Sequence, residues 1–338
     1  AAAIDAVTKL TPKGAPENLH IGLVAIRPGT GEIIALYGGR DYLVRQLNDA
    51  TQSIALAGST FKPFALAAGL EAGIPLTSMW NGDTPQVFDD AGKPYEVNNY
   101  GDEGWGQIDL MTATAHSVNT VYVPLGIKVG PDKVVDVARR AGIPDSVAMM
   151  PTPSVVLGAA SPHVIDVASA YATFASQGVY ASPWFVTEVD GSNGGVLYQA
   201  TPPTPNTVFS KDVMADLTYG LQEVVRNGTA TYGTAGLNRP AAGKTGTSEQ
   251  NASAWFSGYT PQLAASVAMF RDDATQTLNG IGGLNSVTGG TFPAKIWTAF
   301  MKGALAGQPT LSFPKPVHIG GTDPVVMTSG GKQSMKKK

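Results

Sequence analysis

Cysteine is absent from all 338 residues. That removes a thiol nucleophile, a zinc–thiolate centre and any disulfide framework. It leaves the compartment open, because a cysteine-free chain works in reducing and oxidising surroundings alike. Histidine is scarce: His20, His116, His163 and His318 are scattered without His-x-x-x-His spacing, so no metal site is expected. Charge is sparse as well, 14% of residues, with a formal net charge of −3. A nucleic-acid binder would carry a basic excess, so that reading is set aside. No apolar run approaches the ~18 residues of a membrane span. The opening Ala1-Ala2-Ala3-Ile4-Asp5 lacks the basic start and apolar stretch of a signal peptide. The chain as given therefore reads as soluble, in itself or as an excised part of something anchored.

What is present is a core former. Apolar residues make up 43% of the chain, and its length is enough for one large domain or two ordinary ones. Residues 1–19, punctuated by Pro12, Gly14 and Pro16, read as a lead-in. Two apolar runs, 20–27 and 32–38, flank the turn sequence Pro28-Gly29-Thr30-Gly31 and predict a hairpin of buried strands. Residues 58–72 predict a helix stopped by Gly73. Between 107 and 143 the pattern is helical, with Pro131 opening one helix at its first turn. Further helices are predicted over 161–177, over 210–225 with Ser210 as N-cap, and over 293–305. Strand-like runs fall at 241–247, 254–259 and 263–270, the last two parted by Pro261. Strands at both ends and helices between predict an α+β fold: an antiparallel sheet from the N- and C-terminal segments, flanked by helices, with a helical subdomain. The domain so delimited is 20–307. Residues 308–338, rich in Pro, Gly and Lys, read as a loose tail.

Three short strings carry the chemistry. Ser59-Thr60-Phe61-Lys62 stands at a predicted helix start. There the helix dipole favours negative charge developing on the Ser59 hydroxyl. Lys62, one turn on, shares its face and can reach the serine oxygen. To accept a proton Lys62 must be neutral, far from its ordinary ~10.4. Its apolar neighbours Phe61, Pro63 and Phe64, and a second cation such as Lys244, both push that way. Ser117-Val118-Asn119 supplies a hydroxyl to relay a proton and an amide to hold a carbonyl. If the segment is extended, Ser117 and Asn119 point the same way and His116 points away. Lys244-Thr245-Gly246-Thr247 lies in a strand-like, small-residue run along which an extended peptide could add. Alternation there separates Lys244 and Gly246 from Thr245 and Thr247. A phosphate loop would need Gly where Asn238 stands, so that reading fails. Each string alone is weak: an N-cap serine before a surface lysine, or loop punctuation, explains the first two. Ser-x-x-Lys even recurs at Ser329–Lys332 and Ser334–Lys337, where it carries no meaning. The joint order and spacing is what counts.

That trio resembles the transpeptidase domain of bifunctional class A penicillin-binding proteins, over roughly residues 20–305. The resemblance extends through residues 24–35, Gly58 to Phe64, and Gly243 to Thr247 followed by Ala254-Trp255-Phe256-Ser257-Gly258-Tyr259-Thr260-Pro261. An actinobacterial source fits the wording. The resemblance implies Ser59 as the acylated nucleophile and Lys62 as its base, with Ser117, together with Lys62 or Lys244, passing the proton to the leaving amine. It implies Asn119 on the acyl-side amide, and Lys244, Thr245, Gly246 and Thr247 around the donor carboxylate. The N–H groups of Ser59 and Thr247 would form the oxyanion hole. Glu249 and residues 100–105, Trp105 among them, would wall the cleft. The implied substrates are peptidoglycan stem peptides ending in D-Ala-D-Ala, and β-lactams are the implied inhibitors. No metal or cofactor is required. Other cell-wall enzymes are possible partners. The implied place is the outer face of the bacterial membrane, through an anchor and a glycosyltransferase module that this chain does not carry. Alternatives are a D,D-carboxypeptidase or β-lactamase-like hydrolase, a non-catalytic β-lactam sensor, and a scaffold. No Glu-x-x-Leu-Asn string lies between Asn119 and Lys244, which disfavours the lactamase. The family often has Asp where this chain has Ser253.

Overall fold

The computed structural model describes residues 1–327. The chain opens with helix α1 (Ala2–Leu10), then strands β1 (Leu19–Ile26) and β2 (Ile33–Tyr37). A 3-10 turn, Gly58–Phe61, runs directly into α2 (Lys62–Glu71). Four short strands follow: β3 (Ser78–Asn81), β4 (Gln86–Asp90), β5 (Lys93–Val97) and β6 (Gln107–Asp109). The helical stretch comprises α3 (Leu110–His116), α4 (Asn119–Val129), α5 (Pro131–Ala141) and α6 (Val164–Ala175). Strands β7 (Val179–Tyr180), β8 (Glu188–Asp190), β9 (Val196–Gln199) and β10 (Asn206–Thr207) lead to α7 (Lys211–Arg226). The chain then forms β11 (Ala242–Thr247), β12 (Ser253–Thr260), β13 (Leu263–Arg271), α8 (Phe292–Ala304) and β14 (Val325–Val326).

The main sheet has the order β11-β12-β13-β1-β2, antiparallel throughout. It therefore joins the two ends of the chain, as the distribution of strand-like runs predicts. Every residue of β12 is buried, and all but the last of β13. Helices α6 and α8 both pack on these strands, so both faces are covered. This explains why the runs read as continuously apolar or small rather than alternating. The helices start where the sequence signals: Ser210 accepts the Val213 N–H at 3.2 Å, and Pro131 occupies the first turn of α5.

Four expectations need correction. Strand β2 is the sheet's outer edge, with Ile34 and Leu36 exposed rather than buried. The lead-in contains a helix: α1 packs on α8 through buried Ala3, Ala6 and Val7. The Ser117 corner is not extended: Ser117 has φ 60° and ψ 39° and caps α3 before α4 begins at Asn119. Residues 308–327, expected to be loose, have little regular structure yet are held. The Asp216 carboxylate accepts the N–H groups of Val317, His318 and Ile319, and β14 pairs with β3. The repeated Ser-x-x-Lys strings at 329–332 and 334–337 lie outside the described residues.

Candidate active site

Ser59 sits in the 3-10 turn ahead of α2, with Lys62 as the first α-helical residue. Positions i and i+3 eclipse in a 3-10 turn, which stacks the two side chains along one line. The turn is pressed against β11. Gly58 has φ 55°, and a Cβ there would come within 2.8 Å of the Thr247 carbonyl oxygen. A side chain at Gly246 would meet the Ala57 carbonyl at 2.5 Å. Both glycines are thus required by the close approach of the Ser59 turn to the sheet. Gly246 does not line the cleft, so its part in the site is to admit the turn.

Lys62 is fully buried. Its Nζ donates to the Ser117 carbonyl at 2.5 Å and to Asn119 Oδ1 at 2.6 Å, and lies 3.0 Å from Ser117 Oγ. The first two strings are therefore joined through one amine. A neutral amine has two N–H groups and one lone pair. The carbonyl and the amide oxygen can only accept, so they occupy both N–H groups. In that neutral form the lone pair would be left for the Ser117 hydroxyl to donate to, whereas a protonated amine donates to Ser117 Oγ. Burial pushes Lys62 well below the usual lysine range, and the Lys244 ammonium pushes it further the same way. Beneath the amine lies the Tyr122 ring, its centroid 5.4 Å away.

Lys244 is also fully buried, and burial lowers it to about 7. Its Nζ donates to the Thr245 carbonyl at 3.2 Å. Alternation along β11 holds: Thr245 and Thr247 line the cleft, and Lys244 stands behind. Thr245 Oγ1 is 2.6 Å from Thr229 Oγ1, and Thr247 Oγ1 accepts the Gly289 N–H at 3.2 Å.

These groups meet at a cleft of about 910 Å³. Ser59, Ser117, Asn119, Thr245 and Thr247 all line it. Tyr100, Trp105 and Glu249 also line it. His116 lines it as well, contrary to the sequence reading: it is the last residue of α3 rather than part of an extended segment. It stacks on Trp105, ring centroids 4.5 Å apart. Burial lowers its pKa against the opposing pull of Glu103, favouring the neutral ring.

Several supports carried no sequence signal. Asn99 is buried; its amide donates to the carbonyls of Gly82 and Glu103, and its oxygen accepts from Thr120 N–H and hydroxyl. It therefore ties the cleft wall to the first turn of α4. Ser253 is resolved as a clamp. Its hydroxyl donates to the Leu56 carbonyl at 2.6 Å, and Trp255 Nε1 donates to the same oxygen at 2.8 Å. That carbonyl lies three residues before Ser59, so the strand β12 grips the approach to the nucleophile. An ionised carboxylate at 253 would have no proton to offer this oxygen.

The fold is that of the penicillin-binding transpeptidases. Residues 21–279 match the family model described as the penicillin binding protein transpeptidase domain, and the chain belongs to that family. It is similar to penicillin-binding protein 1A of Mycolicibacterium smegmatis, 34% identical over 95% of this chain and 42% of that protein. Its counterpart from Mycobacterium tuberculosis is 34% identical over 91% of this chain and 39% of its own length. The chain thus spans less than half of these curated relatives. The solved structure of PonA1 from Mycobacterium tuberculosis superposes with a TM-score of 0.85 at 32% identity, covering 96% of this chain and 87% of that one. PonA1 has also been solved in complex with penicillin V, at the same TM-score and 33% identity. The actinobacterial flavour of the sequence agrees with these relatives.

Proposed function

We propose that this domain is a D,D-transpeptidase that cross-links peptidoglycan through a Ser59 acyl-enzyme and is inhibited when β-lactams acylate the same serine. The observation that carries the reading is the Lys62 amine, buried and bonded at once to Ser117 and Asn119, one 3-10 turn from a serine that opens on the cleft. Ser59 Oγ attacks the carbonyl carbon between the last two D-alanines, and its proton passes to the neutral Lys62, directly or through the Ser117 hydroxyl. The N–H groups of Ser59 and Thr247 stabilise the oxyanion. The C–N bond then breaks, and the departing D-Ala amine takes a proton from Ser117, which is resupplied by the lysines. Thr245 and Thr247, with the Lys244 charge behind them, suit the terminal carboxylate of the donor. An amine from a second stem attacks the ester, loses its proton by the reverse relay, and frees Ser59.

The substrate lies outside the cytoplasmic membrane, so this domain works on the wall side as part of a longer, membrane-anchored protein. No helix among the described residues is long and apolar enough to cross a membrane. The test is intact mass and peptide mapping after exposure to penicillin. One adduct per chain, on the peptide bearing Ser59, supports the reading. No adduct, or an adduct elsewhere, removes it.

A further inference from the structure

The C-terminal segment crosses the molecule and ends against the wall that carries the second motif. Asp216, on α7, is 1% exposed. Its carboxylate accepts three consecutive backbone N–H groups, from Val317 at 2.7 Å, His318 at 3.1 Å and Ile319 at 2.7 Å. Hydrogen bonds to a charged acceptor are among the stronger ones, and three of them fix the local backbone. His318 takes a left-handed φ of 59° to allow it, and its ring stands edge-on to Tyr219. Gly320, φ 74°, passes so close to the loop after α2 that a Cβ would come 2.5 Å from the Gly73 carbonyl. Thr77 Oγ1 then donates to the Asp323 carbonyl at 3.1 Å. Val325 and Val326 pair in parallel with Ser78 and Met79, and the Met327 N–H donates to the Met79 carbonyl at 2.8 Å.

This makes β14 the third strand of the sheet β14-β3-β6. Strand β3 has four residues and β6 has three, and two such strands alone are marginal in water. The last residue of β6, Asp109, caps α3 by accepting the Thr112 N–H at 2.7 Å. Helix α3 is only seven residues long, too short to hold its own position, and it ends at the Ser117 corner. At the other end of β3, the Gly82 carbonyl accepts from Trp105 N–H and Asn99 Nδ2, and Asn99 grips Thr120 beside Asn119. Both routes from β3 lead to the groups that hold Lys62.

We propose that residues 316–327 are a strap that positions the Ser117–Asn119 corner and Trp105 through β3. Asp216 and Thr77, which fasten it, are therefore positioning residues for acylation, although they touch no substrate. The kinetic arm of the test rests on the acyl-enzyme reading; the structural arm does not.

Three variants of the chain decide it: a stop after Lys315, a stop after Met327, and Asp216→Asn. Each is measured for thermal melting, for amide exchange over residues 107–120, and for the rate of acylation by a fluorescent penicillin across pH. The stop after Met327 should match the parent. The stop after Lys315 should exchange faster over 107–120 and acylate at least ~10-fold more slowly, the scale of a small misplacement of catalytic groups. Its acid limb should also move to higher pH, because a loosened corner admits water to the Lys62 amine, an effect that lower stability alone would not produce. A synthetic peptide of residues 316–327 should restore both. Asp216→Asn, with one acceptor oxygen in place of two, should fall between. Parental exchange and parental acylation after the Lys315 stop would overturn the proposal. Should that variant fail to melt cooperatively, parental behaviour of Asp216→Asn overturns it instead. If penicillin does not label the parent, the acyl-enzyme reading fails, and the exchange of 107–120 still tests the strap.

Discussion

Replacing Lys62 by methionine and by arginine separates its two possible services, proton acceptor and positive charge. Methionine has nearly the same length and no donor. The Ser117 carbonyl and Asn119 Oδ1, at 2.5 Å and 2.6 Å from Nζ, would each lose a partner in a half-buried site. A buried acceptor left without a donor costs about 1–3 kcal/mol. Against this stands relief from burying an amine, whose desolvation is the main reason its pKa is depressed. The net loss of stability should be about 1–3 kcal/mol, so the variant stays folded. Its chemistry should suffer more. A general base contributes at least ~10² in rate, about 2.7 kcal/mol of barrier. Arginine keeps the donors and the charge but cannot deprotonate, and its longer side chain overfills a fully buried position. It should be as slow as methionine. The assay is stopped-flow acylation by a fluorescent penicillin, with melting temperature as the control for folding. An arginine variant within a few-fold of the parent would refute the proton-acceptor role and leave Lys62 as a charge alone. A fast methionine variant would refute both.

Ser59→Ala should abolish penicillin labelling with an unchanged melt; label that persists or moves to Ser117 would transfer the nucleophile. Lys244 gives a signature in stability. Held at about 7 when folded, it is neutral above that pH, while the unfolded chain keeps the proton to ~10.4. Unfolding therefore takes up a proton, and stability should rise between pH 7 and about 9.5, with Lys62 adding in the same sense. Tyr122, Tyr171 and Tyr259, all raised by burial, oppose this only nearer pH 10. Lys244→Met should lessen the slope in chemical denaturation, and an unchanged slope would place the titration elsewhere. Penicilloyl enzyme should deacylate over many minutes, because Glu103 and Glu249 are exposed on the cleft wall, and neither hydrogen-bonds to the Ser59 turn among the described residues. Without a positioned base the step lacks ~10²- to 10⁴-fold help, and turnover of several per second in a nitrocefin assay would make the enzyme a hydrolase. Ser253→Ala should cost about 0.5–1.5 kcal/mol, while Trp255 Nε1 keeps the Leu56 carbonyl bonded and acylation largely intact. A hundredfold loss of acylation would draw Ser253 into the chemistry.

The elements legible from the residues alone are those whose signals are local. Apolar runs bounded by turns marked β1, β11, β12 and β13, because a strand buried on both faces needs an unbroken run of small or apolar residues. Pro131 and Ser210 marked helix starts, because capping is settled within one turn of chain. The order of the three strings named the family, which the match over residues 21–279 bears out. What depends on distant chain was decided only by tertiary structure. Ser117 reads as extended, yet it is left-handed at the junction of two helices, and His116, at the end of α3, lines the cleft. Gly246 reads as a contact for substrate, yet its missing side chain admits the Ser59 turn, which comes from almost two hundred residues earlier. Ser253 carries no local meaning until Leu56 is folded against it. The segment 308–327 reads as loose because its own residues bury little and pair with nothing nearby. Its order comes from Asp216 and β3, partners about a hundred and about two hundred and fifty residues away, and no pattern within the segment announces a hydrogen bond whose acceptor lies on another element.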